Sequence, residues 1–134
     1  SEMLIKAEKD LGKKFDRVIN SRDDVHYWKP VAPLVDGLDM NKIWIPHFHH
    51  HLGGYCDRFA ISNTENMIKY LTMSRYFKEC CAQGMEIHNE AFHKFYLDRV
   101  VGQSNVKTFH IELSRVWADG TFVNEDFNDA VRWQ

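Results

Sequence analysis

Phe15-Asp16-Arg17-Val18-Ile19-Asn20-Ser21-Arg22-Asp23-Asp24-Val25 is the stretch on which the reading of the fold turns. Its first six residues form a short strand candidate, and Ser21 to Asp24 form the polar turn that ends it. Upstream, Leu4, Ala7 and Leu11 recur at helical spacing among charged residues. Gly12, Lys13 and Lys14 then suit a helix C-terminus. Helix, strand and polar turn in that order set an α/β rhythm.

Downstream the rhythm continues. Val25 to Pro30 reads as an aromatic loop that Pro30 keeps extended, and Asp36-Gly37 marks a turn. Ile43-Trp44-Ile45-Pro46 is a second strand candidate. His47 to Cys56 reads as a loop, because Gly53-Gly54 interrupts any regular element. Asp57 to Ile61 is a third strand candidate. Ser62-Asn63-Thr64-Glu65 predicts a capping box, with Ser62 as N-cap and Glu65 reaching back. The helix it opens carries Met67, Ile68, Leu71, Phe77 and Cys81 on one side and runs close to Gly84. Another helix is predicted from about Glu90 to Val101, with Phe92, Phe95, Tyr96 and Val100 inward and Gly102 beyond its end. Val106 to Trp117 alternates as a strand. Ala118-Asp119-Gly120-Thr121 turns it back into Phe122-Val123.

The 134 residues suffice for one domain with a core but not for two. A hydrophobic content of 44% and an aromatic content of 13% exclude a disordered chain. A net charge of −2 leaves no broad basic field, so nucleic acid is not an expected partner. Cys80 and Cys81 are adjacent and Cys56 makes the count odd, which predicts a reducing, intracellular setting without a disulfide framework. No apolar run approaches the length of a membrane span.

Several groups of residues carry possible chemistry. Asp23 and Asp24, just past a strand, can bind a hard cation through oxygen, and strand ends are where open α/β sheets bind ligands. The plainer alternative is an Asx-type turn with solvated charges. His47, His49, His50 and His51 can bind a transition metal or a polyanion, or simply form a solvated loop. His47-Phe48-His49 also matches the histidine pair of rolling-circle nucleases, which needs a central strand and a tyrosine such as Tyr70 or Tyr76. The Gly-Gly that follows and the acidic pI argue against it. Asp57-Arg58, at the mouth of a buried strand, is costly unless functional or paired, and a structural ion pair explains it equally well. Cys80, Cys81, Met67 and Met73 read as packing residues.

The order of these motifs resembles a group of GT-A-type glycosyltransferases. Phe15 to Val25 is similar to their strand and Arg-x-Asp turn, which takes the place of an Asp-x-Asp motif. Lys29-Pro30, Lys42 to Pro46, the Gly-Gly loop and Asp57-Arg58-Phe59-Ala60 follow in the family's order. His88-Asn89-Glu90 is similar to the Pro-Glu pair that opens the family's next helix, and Arg115 to Gly120 is like its Arg-x-Arg-x-(Asp/Asn)-Gly hairpin. The resemblance covers nearly the whole chain and rests on order, since each motif alone is weak. Enzymes of this kind occur in large algal (chlorella) DNA viruses.

The resemblance implies an α/β fold, a GT-A-like mixed sheet flanked by helices. It also implies a divalent-metal-dependent enzyme that moves a sugar from a nucleotide-sugar donor to a glycan or other hydroxyl acceptor. Asp24 would ligate Mn²⁺ or Mg²⁺, with Asp23 assisting. Asp57 would be the general base of an inverting reaction, and Arg22 and Arg58 would contact the donor phosphates. The family gives the histidine cluster no role; on this chain's own residues, a loop histidine such as His49 or His51, or His110, is a candidate for a further metal or phosphate contact. The family's N-terminal nucleotide-binding part has no counterpart before Leu4. The chain is therefore expected to be a C-terminal, acceptor-side portion, with an open sheet edge near Phe15 to Asn20 and a missing N-terminal portion as partner. A viral source would place it in the cytoplasm of an infected host cell. The rival reading is a non-enzymatic metal- or polyanion-binding module built on the His47 to His51 loop.

Overall fold

The computed structural model describes residues 1–48, 50, 53–84 and 88–123. The fold is mixed α/β: a small mixed sheet with helices against it. Helix α1 (Glu2–Leu11) ends at Gly12, whose φ of 66° is the left-handed conformation that lets a helix terminate. Strand β1 (Val18–Ser21) follows, then β2 (Val25–Tyr27), the one-turn helix α2 (Ala32–Val35), β3 (Ile43–Pro46) and β4 (Phe59–Ser62). Helices α3 (Thr64–Leu71), α4 (Phe77–Ala82) and α5 (Asn89–Leu97) come next, and β5 (Val106–Phe109) and β6 (Leu113–Arg115) follow.

The main sheet has the order β1-β4-β3-β5. Strand β4 runs antiparallel to both β1 and β3, whereas β3 and β5 are parallel. Side chains alternate across the sheet, which divides the core in two. Ile43, Ile45 and Ala60 face Met67, Tyr70, Tyr96 and Leu97 from the helices, and Leu4 of α1 packs onto this cluster. Phe59 and Ile61 face the other way, onto Val35, Phe48, Ile111 and Leu113, with Trp44 beside them. All four residues of β4 are buried, as a strand covered on both faces requires. Each large apolar side chain buried there contributes about 1.5–3 kcal/mol.

Strand β1 is an edge strand: β4 pairs with one side, no strand among the described residues pairs with the other, and Ile19 is half exposed. Glu8 ties α1 down. Its carboxylate accepts from the Phe15 amide at 2.8 Å and from the Thr64 hydroxyl at 2.5 Å.

Several expectations are corrected. Val25 to Tyr27 is a strand rather than a loop, because β6 pairs with it: Val25 opposes Arg115, and Tyr27 opposes Leu113. The single strand expected from Val106 to Trp117 breaks at His110-Ile111-Glu112, and its halves serve different sheets. Ser62 does not cap α3. It is the last residue of β4, fully buried, and donates to the carbonyls of Lys42 at 2.8 Å and Met40 at 3.3 Å. Asn63 is the cap, accepting from the Asn66 amide at 3.0 Å, and Glu65 pairs with Lys69 at 2.9 Å instead of reaching back. The long helix expected from there towards Gly84 breaks into α3, a tight turn at Met73–Tyr76, and α4. Phe77, expected inside, is 39% exposed. Helix α5 ends at Leu97, before a π-helical turn at Asp98–Gly102, so Val100 points outward while His93 and Leu97 are buried. The hairpin at Ala118 to Thr121 forms as expected, with Val116 opposite Phe122.

Candidate functional site

The strand directions bring the singled-out residues to one end of the sheet. Strands β1, β3 and β5 finish there and β4 begins there, so Arg22, Asp57, His47 and His110 follow or precede neighbouring strand ends along one rim. At roughly 4.8 Å per strand, His110, just past the end of β5, stands about 10 Å along the rim from β4.

Arg22 is the hub. Its Nε and Nη2 each donate to one oxygen of Asp24 at 2.7 Å, a bidentate pair. Its Nη1 reaches the Oδ2 of Asp57 at 3.4 Å. Its amide donates to the carbonyl of Arg58 at 3.2 Å, which extends the β1–β4 pairing one step past the strands. The turn and the mouth of β4, 35 residues apart in sequence, therefore form one cluster. The hydrogen bonds from Arg22 hold the Asp24 carboxyl below the usual range, and Asp24 in turn raises the Arg22 guanidinium further above its own. Both Arg22 and Asp24 keep a third or more of their side chains in solvent, so this pairing orders the turn more than it stabilises the fold.

Asp57 is less exposed, at 12% of its side chain. Besides Arg22 it accepts from the amide of Asn89, the first residue of α5. It lines a cavity of about 210 Å³ together with Asn20, Tyr70 and His93. A larger and more apolar cavity of about 470 Å³ adjoins it through Met73 and Ser74, lined further by Phe77, Phe92, His88 and Asn89. The larger space is mostly apolar apart from His88 and Asn89, and Asp57, Tyr70 and His93 belong to the smaller one.

The other expected residues fall differently. Asp23 is exposed in the turn. Arg58, expected on a donor phosphate, is 4% exposed, because the chain entering β4 carries it inside and off the surface that a phosphate reaches. His110 is half exposed. Its ring lies 5.0 Å from that of His47 and its Nε2 is 3.5 Å from Glu112. His47 sits past the end of β3 and pairs with the Phe109 carbonyl at 3.3 Å, while burial and the neighbouring histidines lower its pKa. The nuclease pattern would place this histidine within a strand, not after one. His50 pairs with the Gly54 carbonyl at 2.9 Å. His49 and His51 lie outside the described residues.

A divalent ion fits this arrangement poorly. Both oxygens of Asp24 already accept from a guanidinium, whose positive charge opposes a cation at the same carboxylate. Among the described residues no group of three or more His, Cys, Asp or Glu side chains converges.

Reading the sequence gave His93 and Asn20 no role. His93 is detectable as a polar residue one helical turn from Leu97 on the buried face of α5. It is 4% exposed with Nδ1 unpartnered, and burial lowers its pKa against the opposing charges of Asp57 and Glu90. The hydroxyl of Tyr70 is likewise buried without a hydrogen-bond partner, and burial raises its pKa. Asn20 lies near enough to moderate that rise but not in hydrogen-bonding geometry. The two rings meet edge to face at 5.3 Å.

No protein-family model, no curated protein and no solved structure matches this chain. No helix among the described residues is long and apolar enough to cross a membrane.

Proposed function

We propose that this chain is the acceptor-side part of a glycosyltransferase of the GT-A type, moving a sugar from a nucleotide-diphosphate donor to a hydroxyl acceptor with Asp57 as general base. The observation that carries the reading is the Arg22 bridge. It joins the Arg-x-Asp turn to the Asp-Arg-Phe-Ala segment, so both motifs share one end of the sheet beside a cavity.

Asp57 suits a base because its carboxylate is held by Arg22 and Asn89 and still faces the cavity. An acceptor hydroxyl there gives up its proton to Asp57 as its oxygen attacks the donor's anomeric carbon, and the bond to the diphosphate breaks. Fixed geometry matters more for this role than a large pKa shift. Arg22, partly exposed at the rim, supplies positive charge for the departing diphosphate. Mn²⁺ or Mg²⁺ belongs to this reading only as a second source of that charge.

The test is Asp57→Asn, assayed for transfer and donor hydrolysis against a panel of nucleotide sugars, with and without Mn²⁺. The substitution keeps shape and removes the base, so turnover should fall on the order of a hundredfold or more with an unchanged melting temperature. The assay uses the chain joined to its donor-binding portion: near-normal turnover in that variant overturns the assignment of Asp57, and no activity with any donor in the unaltered protein overturns the reaction.

A further inference from the structure

The cavity beside Asp57 contains two polar atoms that the fold itself does not use. Tyr70 Oη and His93 Nδ1 belong to side chains that are each 4% exposed, and neither has a hydrogen-bond partner among the described residues. A buried polar group left unpaired destabilises the fold, so two in one cavity need a reason beyond packing. Both line the space that holds the Asp57 carboxylate and the Asn20 amide.

The chemistry of that wall selects its occupant. Tyr70, His93 and Asn20 are neutral there, and the one charged group on the wall is the Asp57 carboxylate, which accepts from Arg22 and Asn89. The wall therefore offers both donors and acceptors around a single carboxylate, which disfavours an anion and suits a hydroxyl-rich neutral molecule whose hydroxyls can donate to it. Met73 and Ser74 also line a second, apolar cavity with Phe92 and Phe77 on its wall, at about 470 Å³ within the usual range for a small-molecule site. A polar edge on one side and an apolar face on the other are the two surfaces of a pyranose ring.

We propose that Tyr70 and His93 are hydroxyl-reading residues of a carbohydrate subsite. One sugar hydroxyl lies at Asp57, its neighbours bond Tyr70 Oη and His93 Nδ1, and the C–H face of the ring packs towards Met73 and Phe92. This deepens the proposed transferase reading by naming residues that choose the acceptor, but the binding it asserts needs neither donor nor transfer.

The experiment titrates the chain with the methyl α- and β-glycosides of glucose, galactose and mannose and follows the His93 ring signals by NMR. At least one glycoside should shift them saturably. Tyr70→Phe should bind that glycoside about tenfold more weakly while melting at the same or a higher temperature, since it removes only an unpartnered hydroxyl. A residue of merely structural importance would not separate affinity from stability in this way. His93→Gln provides a second reading of the same loss. If no glycoside moves His93, or if Tyr70→Phe and His93→Gln bind as the unaltered chain does, the subsite is wrong. Glycoside binding without transfer from any nucleotide sugar, when the chain is joined to its donor-binding portion, keeps the subsite and rejects the transferase. Transfer with an acceptor KM unchanged in both variants does the reverse.

Discussion

Gly54 and Glu90 meet backbone to backbone. A Cβ at Gly54 would overlap the carbonyl carbon of Glu90 and the amide nitrogen of Ala91, and the next residue, Tyr55, donates its amide to the Glu90 carbonyl at 2.9 Å. From the sequence, the Gly53-Gly54 pair reads as an interruption of regular structure. At Gly54 the missing side chain instead admits the first turn of α5, and this docking brings Asn89 onto Asp57.

Gly54→Ala should therefore destabilise the chain by about 2–3 kcal/mol, because backbone rather than a movable side chain stands in the way. Gly53→Ala should cost only about 1–2 kcal/mol, for a φ of 69° in open space. Urea denaturation of both variants checks the order. Equal losses would mean that the loop and α5 are not locked together here.

Helix α3 offers a test of capping. Asn63→Ala should cost about 1 kcal/mol, since the Asn66 amide loses its acceptor. Glu65→Ala should be nearly neutral, because its pairing with Lys69 is an exposed i,i+4 contact. A capping box would make the two losses comparable, and thermal melts distinguish the cases.

At the rim, Arg22 competes with metal for Asp24. Arg22→Ala should raise the affinity of Asp24 for Mn²⁺, read as paramagnetic broadening of the turn resonances, and should lower transfer. Unchanged Mn²⁺ binding in that variant would show that the guanidinium does not guard the carboxylate. A double-mutant cycle between Arg22 and Asp24 should give a coupling below about 1 kcal/mol, given their exposure.

Buried His93 makes the fold sensitive to mild acid. Its folded pKa lies below the ordinary 6.5, chiefly through burial, so the unfolded chain binds more protons between the two values. Stability therefore falls as pH drops through 6.5 and stops falling on this account below the folded pKa. His47, also lowered by burial, adds a loss of the same sign. His93→Gln should flatten the decline in unfolding free energy between about pH 7 and about pH 5 without abolishing it. An unchanged slope would mean that His93 is not held neutral.

Much of the local structure was legible from residues alone. The strands at Ile43 to Pro46 and around Phe59 to Ile61 show as short runs rich in β-branched and aromatic residues, and Gly12 and the Ala118 to Thr121 turn carry their own punctuation. Ser62 and Asn63 were harder to tell apart. Both are good caps by type, and the choice depended on where β4 stops, which the buried hydrogen bonds of Ser62 to Lys42 and Met40 settle. Val25 to Tyr27 carries no strand pattern of its own and becomes one only because β6 supplies its partner.

For the site, the sequence determined which residue types were present and in what order: an arginine and two aspartates after β1, a charged pair before β4, and a polar start to α5. Strand direction and order lay beyond it, because pairing is a contact between distant segments that a local pattern does not encode. Tertiary structure set Arg22 between Asp24 and Asp57 and took Arg58 off the surface. It also placed two unsatisfied polar groups, on Tyr70 and His93, beside a carboxylate. Burial is a property of the assembled layers, so a histidine on a helix shows its chemistry only once the sheet is packed against it.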